Sequence, residues 1–253
     1  MKQPDQVAVL GKAFDLLEVL AEHPGQTVAD LAGAAGVTKA TAYRILSTLE
    51  MRGYVVTYEK VRRYSIGHAF HAYLQAARRD DRLLHAARPA MLALLGAFDE
   101  TVNLGVPARQ GILYLDVLES TQGLRATSEI GRFDTLHSTA LGKAMLSRMP
   151  EADRQSMLAD ARLVAFTEHT VTDRGELARR IERAASVGYA IDDQENEMGM
   201  RCVAAPIVNA DGRPVAALSI SAPASRMTDA AISRIGAELV VTTARIAAQL
   251  AQP

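Results

Sequence analysis

TVADLAGAAGVTKATAYRILSTL, residues 27–49, is the stretch whose reading decides the N-terminal fold. It holds two short helical patterns separated by a tight turn at Gly36 and Val37. Thr27 is placed to cap the first helix, with Val28, Leu31 and Ala32 on one face. Thr38 is placed to cap the second, where Ala42, Ile45, Leu46 and Leu49 form an apolar stripe at helical spacing. The opposite face of that second helix carries Lys39, Thr41, Tyr43, Arg44 and Ser47. A brace helix followed by a helix with a cationic, hydrogen-bonding face is what a helix-turn-helix presents to a major groove. A plain helical hairpin with a solvated face would share this pattern, so the flanking residues must decide.

Downstream, Gly53 is expected just past the end of the second helix. Residues 54–58 and 61–66 are β-rich runs around Glu59 and Lys60, which predicts a hairpin with Lys60, Arg62 and Arg63 near its tip. From Gly36 to Arg63, six Lys and Arg residues (Lys39, Arg44, Arg52, Lys60, Arg62 and Arg63) stand against only Glu50 and Glu59. The whole chain carries a formal charge of −1. Positive charge is therefore concentrated on the candidate reading surface, as phosphate binding requires. Upstream, residues 7–22 form an amphipathic pattern stopped by His23-Pro24-Gly25. It is the expected first helix of a three-helix DNA-binding unit, with apolar residues left over for a dimer contact.

A chain of 253 residues has room for one or two domains, and 49% hydrophobic with 23% charged residues is the balance of a globular protein. A single cysteine excludes an intramolecular disulfide and fits a reducing, cytoplasmic setting. Neither a signal peptide nor an apolar run long enough to span a membrane is legible. With so little net charge, nucleic acid must be met by a local patch.

Residues 1–67 are read as a winged helix-turn-helix domain, 68–82 as a linker helix and 83–253 as a second domain. There, residues 83–98 are helical, and Pro89 is expected to begin a new helix. Residues 101–106 and 111–119 predict an antiparallel hairpin turned at residues 107–110, and 124–130 a further strand. Helices are expected over 138–148, 151–161 and 174–187. Two strands over 200–208 and 214–221 are joined by a turn containing Asp211-Gly212. A long helix over 228–250 closes the chain. The result is an α+β fold with a mainly antiparallel sheet.

Phosphate-loop, nucleophile-elbow, zinc-protease and dinucleotide patterns are all missing from the sequence. Neither a cofactor nor a metal is expected: His68 and His71 lie one turn apart without further ligands of metal spacing. The run Asp192-Asp193-Gln194-Glu195-Asn196-Glu197 offers paired carboxylates, but reads more simply as a solvated loop. Cys202 reads as an inert buried residue. Residues 136–143, LHSTALGK, have the form of a helix start capped by His137 or Ser138, which leaves first-turn amides, including those of Ala140 and Leu141, to meet a carboxylate. Ser219 and Ser221 alternate along one strand, so their hydroxyls share a face. They can line a polar pocket or satisfy local backbone.

These motifs together carry a resemblance. Val37-Thr38-Lys39-Ala40-Thr41, Gly53-Tyr54, Tyr64-Ser65-Ile66-Gly67, the 136–144 block, Gly188-Tyr189-Ala190, Arg201-Cys202-Val203-Ala204-Ala205-Pro206-Ile207 and Ala217-Leu218-Ser219-Ile220-Ser221 resemble the IclR family of bacterial transcriptional regulators over nearly the full length. The resemblance implies a winged helix-turn-helix, a linker helix and a GAF-like effector domain. It further implies a homodimer, or a pair of dimers, controlling a catabolic operon in response to a small organic acid, as a repressor with activation the alternative. It puts the effector contacts at Ala140, Leu141, Asp192, Cys202, Ser219 and Ser221. Two departures stand out: Thr38 and Ala40 replace the family's frequent Pro and Ser, and the wing tip lacks its usual glycine. Two rival readings are an enzyme using the 192–197 carboxylates with Cys202 or His169, and a histidine-based metal sensor.

Overall fold

A computed structural model of the protein describes residues 7–58, 62–108, 111–159 and 161–252, with the side chains of 78–80 excepted. The chain divides into two compact units, Met1–Asp81 and Arg82–Pro253.

The first unit begins with α1 (Ala8–Glu22), whose Leu16 and Leu20 are fully buried. A two-residue strand, β1 (Gln26–Thr27), leads into α2 (Val28–Ala34). Thr27 and Asp30 close a reciprocal capping box at the start of α2. Then α3 (Lys39–Met51) starts at Thr38, whose hydroxyl accepts from the Thr41 amide. Strands β2 (Val55–Tyr58) and β3 (Arg63–Ile66) pair antiparallel, and β1 adds to the other edge of β3. Leu16, Leu20, Leu31, Ala42, Leu46, Val55 and Tyr64 share one core. This is the expected winged helix-turn-helix, with β1 the one element the sequence pattern did not show. The connection through residues 59–61, Lys60 included, lies outside the described residues.

Helix α4 (Ala69–Asp80) completes this unit. A Cβ on Gly67 would lie 2.2 Å from the Gly53 carbonyl oxygen, so the backbone leading into α4 is pressed against the end of the wing hairpin. Tyr54 meets Phe70 edge-on and shares a hydroxyl–hydroxyl hydrogen bond with Tyr73. The linker helix is thus docked onto the reading unit by aromatic contacts.

The second unit opens with α5 (Arg82–Phe98). It runs unbroken through Pro89, which does not begin a new helix. Ala87, Met91 and Leu94 keep one buried stripe on both sides of the proline. That packing outweighs the roughly 3 kcal/mol an interior proline costs. Strands β4 (Thr101–Ala108) and β5 (Gly111–Leu118) form the hairpin. Residues 124–130 make no strand; the two-residue β6 (Phe133–Asp134) pairs with the other edge of β5. Helices α6 (Ala140–Leu146), α7 (Glu151–Ala159) and α8 (Arg174–Val187) follow. Strands β7 (Ala190–Asp193), β8 (Met200–Val208) and β9 (Pro214–Pro223) precede the closing α9 (Asp229–Leu250). The antiparallel sheet has the order β6-β5-β4-β9-β8-β7.

Both faces of this sheet are covered. Val102, Leu104, Val203, Leu218 and Ile220 pack with α5 and α9 on one side. Ile112, Ala190, Ala204 and Ala217 pack with α6 and α8 on the other. Small residues on that second face admit α6 closely: a Cβ on Gly105 would stand 2.7 Å from Ile112 and 3.0 Å from Leu141. Every residue of α6 is buried.

Gly142 fixes the seat of α6, since a Cβ there would lie 2.3 Å from the Leu136 carbonyl oxygen. Alanine is worth about 1 kcal/mol over glycine in an open helix. Here the clash is with backbone that cannot rotate away. Gly142→Ala should therefore destabilise the second unit by roughly 1–3 kcal/mol, read as a lower thermal or denaturant midpoint. A raised midpoint would show that the loop before α6 yields.

Candidate nucleic-acid interface and effector cavity

On α3, Lys39, Tyr43 and Arg44 are exposed and Thr41 and Ser47 half-buried. The side chains of Lys39 and Arg44 form no hydrogen bond or ion pair among the described residues. Thr41 shares a 2.9 Å hydroxyl bond with Thr38. The wing arginines are more occupied than the sequence implies. Arg62 donates to Glu50 at 3.1 Å and to the Tyr43 hydroxyl at 3.2 Å. Arg63 donates to the Gly25 carbonyl at 2.8 Å, bracing the turn after α1. Glu50 also accepts from Thr57. It therefore ties the end of α3 to both strands of the wing, a role not visible in a simple charge count.

In the second unit, Asp192 (β7), Cys202 (β8) and Ser221 (β9) are register partners across three strands. All three line a small cavity of about 50 Å³ with Tyr114, Arg132, Asp134, Asn196 and Glu197. Ser219 lies one rung along β9, buried and off the cavity wall. It is linked to Ser221 through Asn103 of β4, whose amide nitrogen donates to Ser219 Oγ at 3.1 Å and to Ser221 Oγ at 3.2 Å. The two serines thus share a face, as expected, and both face α6.

The start of α6 differs from expectation. Its cap is Thr139, whose hydroxyl accepts from the Gly142 amide, and not His137 or Ser138. His137 instead bonds the Val164 carbonyl, and Ser138 donates to Asn196 at 2.7 Å. Ala140 and Leu141 remain in the first turn, but their side chains are packed in the core and do not line the cavity. The 192–197 segment is not the solvated loop it resembled: Asp192 and Glu195 are both buried. Asp192 Oδ1 accepts from the amides of Glu195 (2.7 Å) and Asn196 (3.3 Å). Glu195 pairs with Lys143 of α6, also buried, and with Arg180 of α8 at 3.2 Å. Cys202 is half-buried rather than fully enclosed.

Burial pushes the Asp192 carboxyl up to about 7, against the opposing pull of Lys143 and the Glu195 amide. Burial, and then the neighbouring Asp192, raises the Cys202 thiol, so no nucleophilic thiolate forms near neutrality. Burial likewise raises the Tyr114 phenol, keeping it a neutral hydroxyl. Sequence reasoning missed Asn103, Tyr114, Arg132 and Asn196. Only their place across the sheet, not a local motif, brings them to Ser221. Among the described residues no group of His, Cys, Asp and Glu is arranged to hold a metal, and no helix is long and apolar enough to cross a membrane.

A winged helix-turn-helix in the first unit and an antiparallel sheet with helices on both faces in the second are the architecture of a DNA-binding regulator with an effector domain. The helix-turn-helix model of the IclR family matches residues 9–58, and the model of the IclR C-terminal region of bacterial transcriptional regulators matches residues 72–248. The chain belongs to the IclR family of transcriptional regulators. It is 32% identical over 239 residues to the HTH-type transcriptional regulator BhcR of Paracoccus denitrificans, covering 94% of this chain and 85% of that one. It is 31% identical over 242 residues to the transcriptional repressor IclR of Escherichia coli K12, covering 93% and 87%. An IclR homologue from Microbacterium hydrocarbonoxydans, solved in complex with 4-hydroxybenzoate, shares the fold at a TM-score of 0.79 and 21% identity, covering 96% of this chain and 98% of that one. Transcriptional control, not catalysis, is the activity of this family.

The raised pKa of Asp192 makes its carboxyl a weaker acid in the folded chain than in the unfolded one. Below pH 4 the carboxyl is protonated whether folded or unfolded. Between about 4 and about 7 only the unfolded chain releases its proton, so the contribution to stability falls as pH rises through that window. Asp192→Asn should therefore gain stability on the wild type from pH 4 to pH 8, by on the order of a few kcal/mol. Thermal unfolding at several pH values reads this directly. Parallel curves for the two proteins would mean that Asp192 is ionised throughout.

Proposed function

We propose that this protein is a repressor whose operator affinity is controlled by a small carboxylic acid held in the cavity bounded by Asp192, Cys202 and Ser221. One observation carries the reading: three register partners on β7, β8 and β9 converge with a tyrosine, an arginine and an asparagine on a small recess of about 50 Å³. One water-sized probe fills roughly 10–15 Å³. The cavity therefore suits a molecule of only a few non-hydrogen atoms. The Ser221 hydroxyl would meet the carboxylate, with Ser219 behind and the first turn of α6 at Ala140 and Leu141 off the cavity wall. Asp192, holding its proton, would face the other polar end, and Cys202 would fill the wall.

Asp134, Asp192 and Glu197 also line this space, and an anion is tolerated there only if Asp192 keeps its proton. Pyruvate, as a probe, should therefore bind more weakly as pH rises through about 7. The double variant Ser219→Ala, Ser221→Ala should lose the thermal shift that pyruvate produces. An unchanged midpoint for the ligand in that variant would sink the assignment.

On the DNA side, Lys39, Thr41, Tyr43, Arg44 and Ser47 would enter the major groove, with Lys60, Arg62 and Arg63 toward phosphate. The exposed Val9, Leu10 and Phe14 of α1 support a two-fold dimer reading half-sites about 10 base pairs apart. Arg44→Ala should cost about 1–3 kcal/mol at the operator through lost base contacts. Arg62→Ala should weaken all sequences alike and lower the salt slope by roughly 0.9. Operator titrations at several salt concentrations separate the two, and unchanged affinity in both variants would exclude this surface.

A further inference from the structure

Asn103 is buried on β4, yet its side chain serves neither apolar core. Its Nδ2 donates to the hydroxyl oxygens of both Ser219 and Ser221, while its Oδ1 is buried with no partner among the described residues. The opposite amide orientation would bury two unmet N–H groups in place of one unmet oxygen, and would use both serine protons. The observed orientation therefore leaves fewer unmet groups.

An amide nitrogen only donates. Each serine oxygen must therefore accept from Asn103, and each serine proton is free to point elsewhere. At Ser221 that proton is free to turn to the cavity the residue lines, where its register partner on β8 is Cys202, whose sulfur is a weak acceptor. A carboxylate oxygen outcompetes a thiol for an O–H donor, since hydrogen bonds to ionised groups are about twice as strong. We infer that Asn103 is the positioning residue that makes Ser221 a hydrogen-bond donor toward the cavity. It thereby selects an effector that presents an acceptor, a carboxylate in place of the corresponding amide. This rests on the effector reading above. Asn103 itself lies off the cavity wall and acts through the serine.

The test exchanges both partners. Asn103→Asp keeps the side-chain shape but turns the bridging donor into an acceptor, which draws the serine protons inward and leaves the Ser221 oxygen facing the cavity. Pyruvate and pyruvamide differ at the matching atom. By calorimetry or thermal shift, the wild type should bind pyruvate about tenfold or more tightly than pyruvamide. Asn103→Asp should reverse that order. A merely structural role would weaken both ligands alike, and that outcome overturns the inference, as does retention of the wild-type preference. Asn103→Leu, which keeps the volume and deletes the donor, covers the case in which the aspartate variant does not fold. It should lose about tenfold in pyruvate affinity without gaining for pyruvamide, and unchanged pyruvate binding in it would also overturn the inference. If neither ligand binds the wild type, the small-carboxylate reading itself fails, and the role given to Asn103 fails with it.

Discussion

The Lys143 ammonium and the Glu195 carboxylate meet where neither reaches water. Removing two such charges from solvent costs several kcal/mol each, which only tight pairing offsets. That requirement holds three elements in one arrangement. Lys143 projects from α6, Glu195 lies just past β7, and Arg180 reaches in from α8 to the same carboxylate. The Thr170 hydroxyl donates to the Glu195 carbonyl at 2.6 Å and closes the loop before α8 onto the same turn. Asp192 is only three residues away and uses the Glu195 amide to hold its own carboxylate. The cavity wall is therefore set by a pair that never touches the cavity. The isolated removal of either partner would strand a charge, and such losses run to about 3–5 kcal/mol.

The first unit is organised by a smaller device of the same kind. Glu50 sits at the end of α3 and accepts from Thr57 on β2 and from Arg62 beside β3. The recognition helix and the wing consequently move as one body. Half-exposed, the Glu50–Arg62 bridge adds little to stability by itself. Its effect is geometric, because it presets the angle between the two surfaces that must meet a groove and its flanking phosphates together. In the proposed DNA complex Arg62 would exchange this carboxylate for a phosphate, one ionic partner for another.

Much of this was legible in the chain because it depends on local periods. Thr27 and Thr38 announce helix starts by chemistry that operates within three residues, and both caps are present. The alternation of Ser219 and Ser221 fixes a shared face from the pleat alone. What stayed hidden depends on pairing across the sheet. Asn103 reaches the serines from more than a hundred residues away, and no local pattern distinguishes it from any polar residue in a strand. Asp192 and Glu195 resembled a solvated loop because their composition is that of one. Only cations brought in from α6, fifty-two residues earlier, and from α8 make burial of Glu195 tolerable. Residues 124–130 carry some strand-forming side chains but pair with no strand, and they remain irregular. Pro89 misled for the opposite reason, because tertiary packing of α5 overrode a strong local signal.

A regulator needs its ligand to discriminate between two states, since equal affinity for both would shift nothing however tight the binding. The small cavity limits what a ligand can contribute. A molecule of a few atoms makes few contacts, and typical couplings are only about 1–3 kcal/mol. Such a modest effect must reach the operator without being absorbed on the way. The first unit is built to conserve it. Gly67 presses on Gly53, and Tyr54 packs on Phe70 and bonds Tyr73, so α4 cannot turn without carrying the wing. The wing in turn cannot turn without carrying α3, through Glu50. On the proposed reading, a displacement delivered at the C-terminal end of α4 would reach α3 through these packed and bonded groups. A regulator with a weakly bound metabolite as its signal needs that stiffness more than one with a large, tightly held effector.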